Sequence, residues 1–282
     1  MIHEQKVLKY NNQIVFEKLT ISSKFGRFPK MFQNNEACFI FVNKGEFSAR
    51  TPDQFISFKK GQGLLSKCFD YFFEADRKQR EVSDTISAIG VLLHADIVEE
   101  IFQFDHTLSN YRVNYNIKQV AIEAILQNYM ESVELLIDNP EIADEAIIKN
   151  KLKEFIILLC KTQNIGRQND FLSALFKKNS TPFEDTIKHN LYSNLSIQEF
   201  ALLCGMSVSS FKRKFNSVYK ESPKKYLALQ KLKKATTLLK TNTDRISEIA
   251  YDCGFESIST FNRAFKSIYG ISPSEYRMNH NA

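Results

Sequence analysis

One helical segment is written twice in the last ninety or so residues, about fifty residues apart. That doubling commits the C-terminal part to a repeat of one small all-α unit. Ser196-Ile197-Gln198-Glu199-Phe200-Ala201-Leu202-Leu203-Cys204-Gly205-Met206 aligns with Arg245-Ile246-Ser247-Glu248-Ile249-Ala250-Tyr251-Asp252-Cys253-Gly254-Phe255 at an offset of 49. Beyond the turn the offset is 50, and Phe211, Phe215, Tyr219, Ser222-Pro223 and Tyr226 match Phe261, Phe265, Tyr269, Ser272-Pro273 and Tyr276.

Each copy reads as a helix-turn-helix. The small Ala on the first helix lets a second helix approach closely, and a Gly four residues later supplies the positive φ that ends the first helix sharply. Phe residues four apart then fall on one buried face of the second helix. Ser-Pro starts the following segment, since Pro suits a first helical turn. Ser196 and Glu199 form a capping box at the first copy, whereas the second begins with Arg245, so Thr243 or Asp244 is expected to cap it instead.

Opposite the Phe faces the residues are polar and basic. Ser209, Lys212 and Arg213 lie there in the first copy, with Lys214 flanking, and Ser259, Asn262, Arg263 and Lys266 in the second. Such groups donate to guanine, pair with adenine edges or grip phosphates. A solvated surface would explain either helix alone, but Arg213 and Arg263 recur at matched places. Residues 180–282 carry 15 Lys and Arg against 9 Asp and Glu, while residues 1–179 carry 23 of each, so the whole formal charge of +6 sits on the repeat. This is the footprint of a phosphate-binding surface, with strongly salt-dependent affinity.

The chain here resembles the AraC/XylS-type transcription regulators. The resemblance spans about residues 183–277. It is strongest at Ile246-Ser247-Glu248-Ile249-Ala250, Gly254-Phe255, Phe261-Asn262-Arg263-Ala264-Phe265-Lys266 and Gly270-Ile271-Ser272-Pro273-Ser274-Glu275-Tyr276-Arg277. It implies two helix-turn-helix units joined by a long helix, with both recognition helices entering successive major-groove segments on one face of the DNA, roughly 34 Å apart. The base-facing candidates it implies are Ser209, Lys212, Arg213, Ser259, Asn262 and Arg263. Two departures stand out. Met206 replaces the aromatic of Phe255, and the first recognition helix, Ser207 to Lys220, lacks large aromatic or Gln side chains, so it is expected to add affinity more than discrimination.

The N-terminal part is rich in short strand-like runs. Residues 38–42 and 47–50 read as a hairpin turning at Asn43-Lys44-Gly45-Glu46, and further runs follow at 54–58, 63–66, 71–75 and 85–93. They are separated by Lys59-Lys60-Gly61, Phe69-Asp70 and the charged stretch 76–81. A small antiparallel barrel or sandwich fits that spacing, and the resemblance implies a cupin-like sensory barrel. Phe39, Phe41, Phe47, Phe58, Tyr71 and Phe73 either line an apolar ligand site or form the core. A metal-holding barrel needs converging imidazoles, yet residues 36–93 contain no His, and His94 and His106 read as surface or packed side chains.

Behind the barrel, Ile117, Val120, Ala121, Ala124, Ile125, Asn128, Val133, Leu136 and Ile137 recur at helical steps up to Asn139-Pro140. A second helix is expected from about Glu141 to Lys161, with Ile147, Leu152, Phe155, Ile156 and Leu159 on its stripe. Residues 114–137 could serve a homodimer or pack against the barrel. Periodicity breaks between Gln163 and Thr181, before Thr181-Pro182-Phe183-Glu184 starts a helix with Pro at its first position.

The expected organisation is α+β. A sensory and dimerisation domain spans 1–165, with the β-barrel about 1–95 and helices about 96–163, and a double helix-turn-helix domain spans 180–282. Five Cys without metal-ligand spacing argue for reduced thiols, with Cys204 and Cys253 as core residues. No apolar run is long enough for a membrane span and no leader pattern is present, so a cytoplasmic location is expected. The expected function is a sequence-specific, double-stranded-DNA-binding transcription regulator, an activator working with RNA polymerase. A small molecule or a protein at the N-terminal domain would gate it. Neither catalytic residues nor a metal nor a cofactor is expected; the four-Cys cluster or Pro-Cys-His-Arg-type motif of a fused repair methyltransferase is missing. The alternative is a nonspecific architectural DNA binder.

Overall fold

The computed structural model describes residues 2–30, 36–67, 71–75, 85–109, 111–165, 167–177 and 182–280. The chain divides into two compact units, Met1–Ser180 and Thr181–Ala282.

The first unit is built on two antiparallel sheets. Its strands are β1 (Ile2–Tyr10), β2 (Gln13–Ser22), β3 (Arg27–Lys30), β4 (Glu36–Lys44), β5 (Glu46–Arg50), β6 (Phe55–Lys59), β7 (Gln62–Ser66), β8 (Tyr71–Glu74), β9 (Thr85–His94) and β10 (Ile117–Ala121). One sheet has the order β1-β2-β9-β4-β7-β10 and the other β3-β8-β5-β6. The two sheets stay separate, so the expected closed barrel is an open sandwich. The pleat gives the larger sheet two apolar faces. Phe39, Phe41, Leu65, Ile89, Val91 and Leu93 point to the helices of this unit. Val42, Leu64, Ile86 and Ile117 point to the smaller sheet, where they meet Phe47, Phe58, Tyr71 and Phe73.

Several sequence expectations are corrected. Residues 38–50 are not a hairpin: β4 pairs with β9 and β7, while β5 pairs with β6 and β8. Gly45, at φ +79°, is where the chain leaves one sheet for the other, and a Cβ there would come within 3.0 Å of Thr85 O and Ile86 Cγ1. The first hairpin is β1–β2, which the sequence reading missed because charged residues interleave with its apolar ones. Its turn, Asn11-Asn12, has φ of 48° and 61°, the left-handed pair that a two-residue type I′ turn requires.

The helices α1 (Ala95–Phe102), α2 (Ala124–Asp138), α3 (Glu145–Thr162) and α4 (Gln168–Phe176) cover the outer face of the larger sheet. Residues 117–121, expected as helix, are the edge strand β10, antiparallel to β7. The spacing of Ile117 and Val120 fits a helix turn, but the ladder to β7 buries both. The stripe of α2 is Leu126, Tyr129, Met130, Val133 and Ile137, so Ala124, Ile125 and Asn128 face outward instead. The next helix starts at Glu145 rather than Glu141, because the Asp144 carboxylate accepts from the Ile147 N–H at 2.7 Å. Ile148, not Ile147, heads its buried face. Residues 168–176, read as aperiodic, form α4, with Phe171, Leu172, Ala174, Leu175 and Phe176 all buried. Phe69-Asp70, residues 76–81, Thr181 and Cys68 lie outside the described residues.

The second unit is all helical: α5 (Phe183–His189), α6 (Ile197–Leu203), α7 (Val208–Tyr219), α8 (Pro223–Thr241), α9 (Ile246–Asp252), α10 (Ile258–Tyr269) and α11 (Pro273–His280). Pro182 stands one place before the first helical residue rather than at it. The Ser196–Glu199 capping box is present. At α9 neither Thr243 nor Asp244 caps: Glu248 accepts from the Arg245 N–H at 3.1 Å, and Asn242 and Asp244 engage each other in the preceding turn.

Candidate nucleic-acid interface

The repeat produces two superposable aromatic ladders. In the first, Phe211 and Phe215 ring centroids are 5.6 Å apart, and Phe215 meets Tyr219 at 4.5 Å and Tyr226 at 5.5 Å. In the second, Phe261 and Phe265 are 5.6 Å apart, and Phe265 meets Tyr269 at 4.7 Å and Tyr276 at 5.3 Å. All four Phe rings are fully buried. Full burial of one such ring stabilises by roughly 1.5–3 kcal/mol, so each ladder fixes the rotation of its helix about its own axis. Where the second copy has Phe255 against Phe261 at 5.1 Å, the first has Met206, and its Phe211 instead packs on the rings of Phe183 of α5 and Phe200 of α6.

The turns between helices are set by Gly205 at φ +63° and Gly254 at φ +81°. Space around Gly205 is open, but a Cβ at Gly254 would lie 2.1 Å from Tyr192 O. Lys231 and Lys234 of α8 donate to Gly254 O and Asp252 O, both at 2.8 Å. Their charge meets the negative end of α9, an anchorage that the alignment of the two copies did not reveal.

With each Phe pair inward, the opposite faces are fixed. Ser209, Lys212 and Arg213 are exposed on α7, and Ser259, Asn262, Arg263 and Lys266 on α10. Ser207 and Ser257 cap the two helices through the N–H groups of Ser210 and Thr260. Ser207 also touches Ser209, with the hydroxyls 3.1 Å apart. Lys214 turns aside, its ammonium 4.8 Å over the Phe183 ring. Among the described residues the side chains of Lys212, Arg213, Asn262 and Arg263 enter no ion pair or hydrogen bond. Two unneutralised cationic helix faces, each held rigidly by its own core, can insert into grooves and meet phosphates on either side. Val208 and Ile258 open the two helices at matched positions, and Ile258 is exposed.

In the first unit a cavity of about 270 Å³ opens within the sandwich, lined by Leu19, Ile21, Phe28 and Ile40 among others, with Glu17 and Lys30 as charged groups. Of the six rings expected to line such a site only Phe47 and Phe73 do so. Phe39 and Phe41 belong to the helix-facing core, and Phe58 and Tyr71 pack between the sheets without lining the cavity. The strands β1–β3, which supply much of the wall, were not legible in the sequence. His94 is buried with Nε2 2.8 Å from Ile14 O, and His106 Nδ1 is 2.7 Å from Glu99 Oε1. Glu99, Asp105 and His106 lie together, but Asp105 is already engaged by the N–H and hydroxyl of Thr107. Burial pushes the thiols of Cys204 and Cys253 up to about 11; Cys253 is a core residue as expected, whereas Cys204 is only half-buried. No described helix is long and apolar enough to cross a membrane.

Two family descriptions match the chain: an ExsA N-terminal regulatory domain over residues 37–168 and a helix-turn-helix domain over residues 200–279. Among solved structures, the DNA-binding domain of the global transcriptional factor AdpA in complex with a target DNA is 28% identical, covering 36% of this chain and 93% of that one at a TM-score of 0.34. The C-terminal domain of the response regulator YesN from Fusobacterium nucleatum is 25% identical over 34% of this chain and 93% of that one, TM-score 0.33. ToxT from Vibrio cholerae is 16% identical over 95% of this chain and all of that one, TM-score 0.38. No curated protein matches. With its twin helix-turn-helix units and N-terminal regulatory domain, the chain belongs to the AraC/XylS-type family of DNA-binding transcription regulators.

Proposed function

We infer that the protein binds one specific duplex sequence with both recognition helices at once, and that it acts as a cytoplasmic activator through contact with RNA polymerase. The observation that carries this reading is the matched pair of exposed faces, Ser209, Lys212 and Arg213 on α7 and Ser259, Asn262, Arg263 and Lys266 on α10, over matched Phe cores. The N-terminal unit receives the signal and governs dimerisation. The 270 Å³ apolar cavity supports a small-molecule effector, near the lower size of ligand pockets. Ile125 and Leu135, 54% and 67% exposed on α2, support a second copy docking there.

Selection of bound sequences from a random duplex pool tests this, using the full chain beside the fragment 181–282. Enrichment of two short motifs about one helical turn apart is expected, with the full chain differing from the fragment in stringency or spacing. A pool that stays random with both proteins would replace specific regulation with architectural binding.

A further inference from the structure

Among the base-facing candidates the two recognition helices differ at one place: Lys212 of α7 stands where α10 has Asn262. An ammonium only donates, whereas a carboxamide donates and accepts side by side, which matches N6 and N7 of adenine in the major groove. Asn262 is exposed and its side chain has no hydrogen-bond partner among the described residues. One turn earlier, at the first residue of α10, Ile258 is 37% exposed. The four-residue spacing sets Ile258 and Asn262 side by side, and the N-terminal residues of a recognition helix are those that reach base edges. Ile258 has no polar atom to offer there. The apolar group that a base pair presents in the major groove is the thymine methyl.

We propose that the second helix-turn-helix unit is an A·T reader, with Asn262 taking the adenine edge and Ile258 covering the thymine methyl of the same or the adjacent base pair. At the matched place the first unit offers the charge of Lys212 and no such pair. This rests on both helices entering the groove, so the test separates the two claims.

The full chain is titrated with its selected operator and with a series in which each thymine in turn is replaced by uracil, which keeps base pairing and removes only the methyl. One uracil is expected to weaken binding by about four-fold, the worth of one buried methyl group. Ile258→Ala is expected to bind the thymine and uracil duplexes equally at that place, and Asn262→Ala to lose the preference for A·T there or next to it. Should Ile258→Ala melt lower than the wild type, the ratio of its affinities for the thymine and uracil duplexes, taken at a temperature where both proteins stay folded, carries the same comparison. Indifference to uracil at every position, or an undiminished uracil effect in the Ile258 variants, overturns the A·T assignment while operator binding stands. Absence of any preferred sequence overturns both.

Discussion

At the scale of single residues, the proposed reading assigns the exposed cations two roles, base contact and phosphate contact. Arg263 stands on the exposed face of α10 with no protein partner among the described residues. Arg263→Ala is expected to cost roughly 1–3 kcal/mol on the selected operator and to relax the preference at one base pair. Equal loss on random duplex, measured by fluorescence anisotropy, would remove Arg263 from base reading. Lys212→Ala is expected to weaken operator and random DNA alike and to lower the salt slope by about 1, as a phosphate contact does. In the first unit Glu74 is set between Arg27, 2.7 Å away, and Arg50, 2.5 Å away. Burial alone would raise the Glu74 carboxyl, but hydrogen bonds and charge from Arg50 and Arg27 bring it below the usual carboxylate range. A depressed folded-state pKa stabilises above the unfolded value, near 4.3, and that stability is lost as pH falls through the folded value. Glu74→Gln is therefore expected to lose roughly 1–3 kcal/mol at pH 7 and to melt with a shallower pH dependence below about pH 4.5 than the wild type. Parallel melting curves for the two proteins would assign that acid sensitivity elsewhere.

At the scale of elements, the repeat was legible because each of its signals is local. Ala201 and Ala250, the Gly residues after them, and the Phe pairs four apart each specify a neighbour within one or two turns. The cap of α9 was misread because Arg245 cannot accept a hydrogen bond, and the Glu248 carboxylate, reaching back, was enough. Sheet pairing depends on partners far along the chain. Residues 38–50 look like a hairpin, and nothing within them says that β4 takes β9 and β7 instead. The two inter-helix glycines give a sharp comparison. Any side chain at either position is strained by the positive φ, by about 1–2 kcal/mol. Gly254→Ala must in addition push away the Tyr192 carbonyl, whereas Gly205→Ala meets open space. Melting of the C-terminal fragment is expected to fall by a few degrees for Gly205→Ala and far more for Gly254→Ala; equal falls would contradict the close approach of α9 to the 192–193 backbone.

At the scale of the whole molecule, charge and fold divide the work in the same way. The formal excess of +6 lies within residues 180–282, the part with the two matched exposed helix faces, and the remainder is balanced. What the sequence hid was the part of the cavity wall that β1 to β3 supply, where charged residues such as Lys30 and Glu17 obscure the alternation, while Phe47 and Phe73 of that wall were legible. The central claim is that two units read one face of the duplex together. A scan of every single base-pair substitution in the selected operator, bound by the wild type, Arg213→Ala and Arg263→Ala, tests it most directly. The expected result is two blocks of sensitive positions about 10 base pairs apart, with Arg213→Ala flattening one block and Arg263→Ala the other. A single block, or variants that flatten both blocks or neither, would contradict it.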